Sequence, residues 1–212
     1  MTTDTNSYMR TAVPLIVMKF GGTSPGDAER IRAVAQYVAR THRQGTNVVV
    51  VASAMSRTTD DLLELAHKVS VNPSGRELDM LLSTGECIAT SLLCLALETF
   101  GVAPRSYSGA SAGFKTDNRF GSARTVAIDT VPLCGALETG IVPVVTGFQG
   151  ATAGGDVTTL AAVDLTRQRL FWLPPWVPTF VRFYTTLPVF SPRILECFHS
   201  PGAARPVLRG DA

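Results

Sequence analysis

The hydrophobic pattern changes period several times along the chain. Leu15 to Met18 is an apolar run of strand length, closed by Lys19 and a glycine pair. From about Asp27, Ala28, Ile31, Val34, Ala35 and Val38 recur at helical spacing, with Glu29, Arg30, Arg32 and Arg40 on the opposite face, and Gly45 ends the run. Asn47 to Ala52 is continuously apolar and β-branched, as suits a strand buried on both faces of a parallel sheet. The order strand, helix, strand is followed by a short helix, Asp60 to Val69, and a long one from about Arg76 to Phe100. In the latter, Leu78, Leu81, Leu82, Ile88, Leu92, Leu95 and Ala96 take the apolar positions. Val102 to Tyr107 predicts a strand, Gly109 to Gly121 a polar excursion, Val131 to Glu138 a brief helix and Ile141 to Val145 another buried strand. Gly147 to Gly150 reads as a second glycine turn and Ala153 to Leu160 as a flexible segment.

Composition narrows the classes. A net charge of +2 from 19 basic and 17 acidic residues gives no basic footprint of the kind nucleic acid requires. The first 12 residues are polar and unlike a signal peptide, so a cytoplasmic protein is expected. Cys87, Cys94, Cys134 and Cys197 show no ligand spacing and only three histidines accompany them, so no metal site is expected and buried reduced thiols are. Phe171 to Phe190 is apolar but carries Pro174, Pro175, Pro178, Pro188 and Arg182, which argues against a membrane span.

The candidate chemistry starts at Lys19-Phe-Gly-Gly-Thr-Ser24. Amide groups in a glycine turn make an anion-binding concavity, and a lysine at the strand's end supplies a cation for phosphate oxygens. The lysine precedes the glycines, so this is not a Walker loop; a purely steric turn explains the glycines equally well. Ser53 follows the second strand at the edge where open α/β sheets bind ligands. Thr58 or Thr59 either caps the next helix or reaches a ligand. Gly85, inside the long helix, marks a close approach of backbone or ligand, because glycine costs about 1 kcal/mol there relative to alanine. Its neighbour Glu86 is either a carboxylate in an apolar setting or an ordinary surface glutamate. Asp117, Asn118 and Arg119 line a site or form a solvated turn.

Together, Lys19-Phe-Gly-Gly-Thr-Ser24, Val50-Val-Ala-Ser-Ala-Met55, Thr58-Thr-Asp60, Leu81-Leu-Ser-Thr-Gly-Glu86, Ala112-Gly113 with Thr116-Asp117, and Gly147-Phe-Gln-Gly150 with Asp156-Val-Thr-Thr-Leu160 resemble aspartate kinases of the amino-acid kinase superfamily, in order and spacing. The resemblance covers residues 13–160 and implies an α/β fold, an open, mainly parallel sheet between helical layers, of which this chain holds the N-terminal lobe. It implies phosphorylation of the β-carboxylate of L-aspartate by ATP with magnesium, the step toward lysine, threonine, methionine and diaminopimelate. Residue by residue, it makes Lys19 catalytic, and gives the nucleotide phosphates Lys19, Phe20, Gly21, Gly22 and Thr23. Ser53 and Thr59 would hold the aspartate, and Glu86 its ammonium group. Neither nucleic acid nor membrane is an implied partner; a homo-oligomer is compatible with the resemblance.

From Ala161 the texture changes. The family's next segment, Gly-Arg-Gly-Gly-Ser-Asp-Thr-Thr, is missing, and two tryptophans and over half of the thirteen prolines crowd into the last stretch. Joining the third base of each codon to the first two of the next, the codons of Leu160 to Leu170 can spell Gly-Arg-Gly-Gly-Ser-Asp-Thr-Thr-Ala-Val. Those of Thr185 to Glu196 permit Asp-Val-Ala-Gly-Val-Phe-Thr-Ala-Asp-Pro-Arg, one mismatch from the family's Asp-Val-Asp-Gly. The expectation is a frameshifted, non-native tail over 161–212 that is disordered or poorly packed, with Trp172 and Trp176 exposed. The alternative to an active kinase is a non-catalytic remnant that at most binds aspartate or a partner.

Overall fold

A computed structural model describes residues 13–20, 28–55, 57–160, 179–184, 194–199 and 207–210. Its elements run β1 (Leu15–Phe20), α1 (Ala28–Arg43), β2 (Asn47–Ala52), α2 (Thr58–Val69), α3 (Arg76–Thr99), β3 (Pro104–Tyr107), β4 (Phe114–Thr116) and β5 (Thr125–Ile128). They continue with α4 (Val131–Glu138), β6 (Val142–Thr146), β7 (Gln149–Ala151), β8 (Val157–Thr159), β9 (Thr179–Tyr184), β10 (Ile194–His199) and β11 (Val207–Gly210).

The large sheet has the order β11-β10-β9-β1-β2-β6-β3. Strands β1, β2, β6 and β3 are mutually parallel, with Val17 opposite Val49, Val50 opposite Val144, and Ser106 opposite Val144 from the other side. Because side chains alternate across a strand, each sends one set of apolar residues to each face. Ile16, Met18, Phe20, Val48, Val50, Val142 and Val144 meet Val34, Ala35 and Val38 of α1 and Leu93 and Leu97 of α3. Leu15, Val17, Val49 and Val145 meet Leu133 and Ala136 of α4. Helical layers thus cover both faces, and full burial of a side chain such as Val34 or Leu97 contributes about 1.5–3 kcal/mol. The parallel sheet between helical layers is as expected from sequence.

A second, smaller sheet of order β5-β4-β7-β8 stands on α3. It is where the sequence reading fell short: the polar excursion holds β4, Gln149 and Gly150 belong to β7, and the supposedly flexible segment holds β8, with Thr158, Thr159 and Leu160 buried. On α3 the apolar pattern also misled. Ile88, Leu92 and Leu95 are 49, 37 and 60% exposed, whereas the buried stripe is Asp79, Ser83, Glu86, Ala89, Thr90, Leu93 and Leu97. A helix with apolar residues on two faces does not declare which face is core. Among the described residues α3 is the one helix long and apolar enough to cross a membrane, but it packs against α1, α2, β3, β6 and β8. The thiols correct another expectation: Cys87 is exposed and Cys94 and Cys134 are half-buried.

The expected loss of order past Leu160 falls mostly outside the described residues, Trp172 and Trp176 included. The described segments there form strands, with β9 parallel to β1 (Val17 opposite Val181) and β10 and β11 following antiparallel.

Candidate active site at the carboxyl edge of the large sheet

Strands β1, β2 and β6 end at one edge, where the ladder extends past their last residues. The Ser53 N–H donates to the Phe20 carbonyl at 3.3 Å and the Gly147 N–H to the Ala52 carbonyl at 3.0 Å. This is the edge outside which open α/β sheets bind ligands. Lys19 lies in the last two residues of β1 and Ser53 immediately follows β2, both half-buried. The side chain of Phe20 is in the core, 1% exposed, so only its backbone faces the crevice. Gly21, Gly22 and Thr23 lie outside the described residues.

Helix α2 meets the same edge. Its N-cap is Arg57, with no side-chain capping bond, so Thr58 and Thr59 are the first helical residues and neither caps the helix. Gly85 explains how close α3 comes: a Cβ there would stand 3.2 Å from Thr58 Cγ2 and 3.3 Å from Ala54 Cβ. The expected close approach is thus one of protein on protein, and it brings Glu86 beside the Ser53 loop and the start of α2.

Glu86 is 4% exposed, which removes the surface reading. Its Oε2 accepts from the Phe148 N–H at 2.9 Å and from Gln149 Nε2 at 3.5 Å. Burial pushes its carboxyl up to about 7; the Phe148 and Gln149 donors, the Lys19 charge and the Gly147 N–H pull the other way. A Cβ on Gly147 would lie 3.0 Å from Val51 Cγ1 and 3.6 Å from Glu86 Oε1, so the turn after β6 presses directly on the carboxylate. The chemical content of the site is therefore a sequestered carboxylate that gains from a cation, near a lysine at a strand end.

Asp117, Asn118 and Arg119 do not join it. The Asp117 carboxylate accepts from the N–H groups of Arg124 (3.0 Å) and Arg119 (3.3 Å), and the Arg124 bond leads in holding its carboxyl below the usual range. They form a turn. Sequence reasoning missed Asp79, which is 1% exposed and accepts from Gly121 N–H, Thr159 N–H and Thr159 Oγ1 at 2.8–3.0 Å. The available signal was Asp79, Ser83 and Glu86 at positions i, i+4 and i+7 of an apolar helix, a polar stripe on one face. It also missed Thr146, whose buried hydroxyl has no hydrogen-bond partner among the described residues.

The model of the amino acid kinase family matches residues 14–164. The chain is similar to the aspartokinase of Geobacillus stearothermophilus, 47% identical over 146 residues, 69% of this chain and 36% of that protein. The chain thus spans about a third of the length of such relatives. Its structure is similar to aspartate kinase from Synechocystis, with TM-score 0.66 and 39% identity over 82% of this chain and 29% of the other. The E. coli aspartokinase III in complex with aspartate and ADP shares the fold, with TM-score 0.67 at 20% identity, over 82% of this chain and 49% of that one.

Proposed function

The chain belongs to the amino acid kinase family, and from that premise we propose that it is the aspartate-binding lobe of an aspartate kinase. The reaction moves the γ-phosphoryl group of ATP to a β-carboxylate oxygen of L-aspartate: one P–O bond forms, the bond to the ADP oxygen breaks, and no covalent enzyme intermediate intervenes. Catalysis of this kind is positioning and charge stabilisation. In this reading Lys19 is the catalytic cation, and it and the backbone of Phe20, Gly21, Gly22 and Thr23 receive the nucleotide phosphates. Ser53 and Thr59 hold the aspartate, and Glu86 takes its ammonium group. Magnesium enters as the companion of ATP; the described residues contain no group of three His, Cys, Asp or Glu that would hold it, and no role here depends on it. A cytoplasmic setting, a place in the synthesis of lysine, threonine, methionine and diaminopimelate, and a homo-oligomer belong to the same reading.

The observation that carries it is Glu86, buried yet supplied with N–H donors beside the Lys19 charge. Burial is costly for a carboxylate, and an arriving ammonium offsets that cost. Calorimetry with L-aspartate and with succinate, which lacks the ammonium, tests it. The native chain should prefer aspartate, and Glu86→Gln should weaken aspartate at least about tenfold. Equal binding of the two ligands by the native chain would sink the assignment.

The change of composition past Ala161 supports a second reading, a non-catalytic remnant that at most binds aspartate or a partner. A coupled assay for aspartyl phosphate separates the two, since turnover abolished by Lys19→Ala supports the enzyme. We also propose that residues 161–212 are the family's next segment read in a shifted frame. The family match stopping at residue 164, close to the change in composition, supports this. Resequencing the gene tests it: an alternative frame past codon 160 that does not spell Gly-Arg-Gly-Gly-Ser-Asp ends the idea.

A further inference from the structure

Gln149 is buried, 3% exposed, in the first position of β7, and the proposed reaction gives it no role of its own. Its carboxamide nitrogen donates to the Ser83 carbonyl at 3.1 Å and faces Glu86 Oε2 at 3.5 Å. Both partners are acceptors, which fixes the amide: the oxygen cannot occupy that place without facing two other oxygens. Ser83 and Glu86 lie on one face of α3, three residues apart, so a single –NH2 group spans one turn of the helix. The Ser83 carbonyl anchors the amide, and the same nitrogen lies within reach of the Glu86 carboxylate and of the Cys87 thiol. The adjacent Phe148 N–H reaches the same oxygen, Oε2, from the same turn. Oε1 is left toward Gly147, where the missing side chain keeps room for it.

We propose that Gln149 is a positioning residue for Glu86: its carboxamide, anchored on the Ser83 carbonyl, holds the Glu86 carboxylate with Oε2 toward the β6–β7 turn and its charge available in the crevice. The inference deepens the substrate reading, since it concerns how the proposed ammonium partner is held, but the geometry of the clamp exists without ligand. The groups that face Glu86 are Lys19 from β1, Cys87 from α3, and the N–H groups of Gly147 and Phe148.

The test is a 13C NMR titration of the Glu86 carboxyl in the full chain, native and Gln149→Leu. Removing a donor to the carboxylate stabilises the protonated form, so the Glu86 midpoint should move upward by about one pH unit, and the Phe148 amide resonance should shift with it. An unchanged midpoint in a variant that retains the native amide spectrum overturns the proposal and leaves Gln149 as packing. If the leucine variant does not fold, Gln149→Asn, one methylene too short to span the turn, carries the same two outcomes. Calorimetry on the native chain separates the layers. No preference for aspartate over succinate, together with an upward midpoint in the variant, removes the substrate reading and leaves the clamp standing. An aspartate affinity lowered tenfold at an unchanged midpoint assigns Gln149 to the ligand instead, and overturns the clamp.

Discussion

The large sheet and the small sheet are held by different forces. Around β1, β2 and β6 the core is almost wholly aliphatic, and its contacts are interchangeable in kind. Under β4, β7 and β8 the contacts are individual: Asp79 accepts from Thr159 and Gly121, and the Thr116 and Thr158 hydroxyls meet at 2.7 Å in the interior. Gly150 of β7 allows that bond, since a Cβ there would come within 2.5 Å of Thr116 Cγ2. An aliphatic core tolerates imperfect fit, whereas a buried polar network loses a full desolvation penalty for each partner removed.

The largest expected break is Gly113→Ala. Gly113 has φ +90° and a Cβ there would stand 2.0 Å from the Asp129 carbonyl oxygen, so strain and collision combine. A loss of about 4 kcal/mol or more is expected in urea unfolding, confined at first to amides of the small sheet in hydrogen exchange. A variant within about 1 kcal/mol of the native chain would show that this sheet yields as an aliphatic core does.

Asp79→Ala and Leu97→Ala sharpen the contrast directly. Leu97→Ala should cost about 3 kcal/mol through lost burial and a cavity. Asp79→Ala should cost at least as much, about 3–5 kcal/mol, because it strands three donors from Gly121 and Thr159. If Asp79→Ala is the milder of the two, the network is not what joins the small sheet to α3.

The third expectation concerns pH. Glu86 has an ordinary carboxyl value near 4.5 when unfolded and about 7 when folded. Between these values the folded chain binds more protons at Glu86 than the unfolded one, so the contribution of Glu86 to stability is fully present below about 4.5 and is lost as pH rises through about 7. The decline is about 3 kcal/mol by linkage. In Glu86→Gln this part of the slope should vanish in thermal unfolding followed from pH 4 to 8. A slope identical in both proteins would show that Glu86 is not the group responsible.

The smallest effect on stability is expected from Gly85→Ala. Helix propensity favours alanine by about 1 kcal/mol, and crowding against Thr58 and Ala54 opposes it, so the net should stay within about 1 kcal/mol. Its consequence should appear in ligand affinity, because Thr58 of α2 and Ala54 next to Ser53 must retreat from α3 at position 85, next to Glu86. Unaltered aspartate affinity, measured by calorimetry, would show that the α2–α3 spacing does not set the site.

The same contrast explains what the sequence disclosed. Strand runs such as Asn47 to Ala52 and the α1 pattern were legible because burial on two faces or one stripe imposes a period. The place of Lys19 and Ser53 at strand ends was legible from the apolar runs before them, whereas the burial of Glu86 was one of two open readings. The small sheet was not: its strands have three or four residues, too few to establish a period, and its order depends on Asp79, Gln149 and glycines meeting partners far along the chain. Thr58 and Thr59 looked like caps by composition, yet the N-cap falls one residue earlier, at Arg57, and both threonines are already helical.

Those distant partners also set a schedule. The Phe148 bond to Glu86 closes 62 residues of chain, and the Thr159 bonds to Asp79 close 80. During synthesis, β1, α1, β2 and α3 have left the ribosome while both carboxylates still face water, and the crevice acquires its buried charge only when the stretch through Leu160 has emerged. The site therefore cannot close before the chain through Phe148 has emerged, and contacts of such long sequence separation are slow to form.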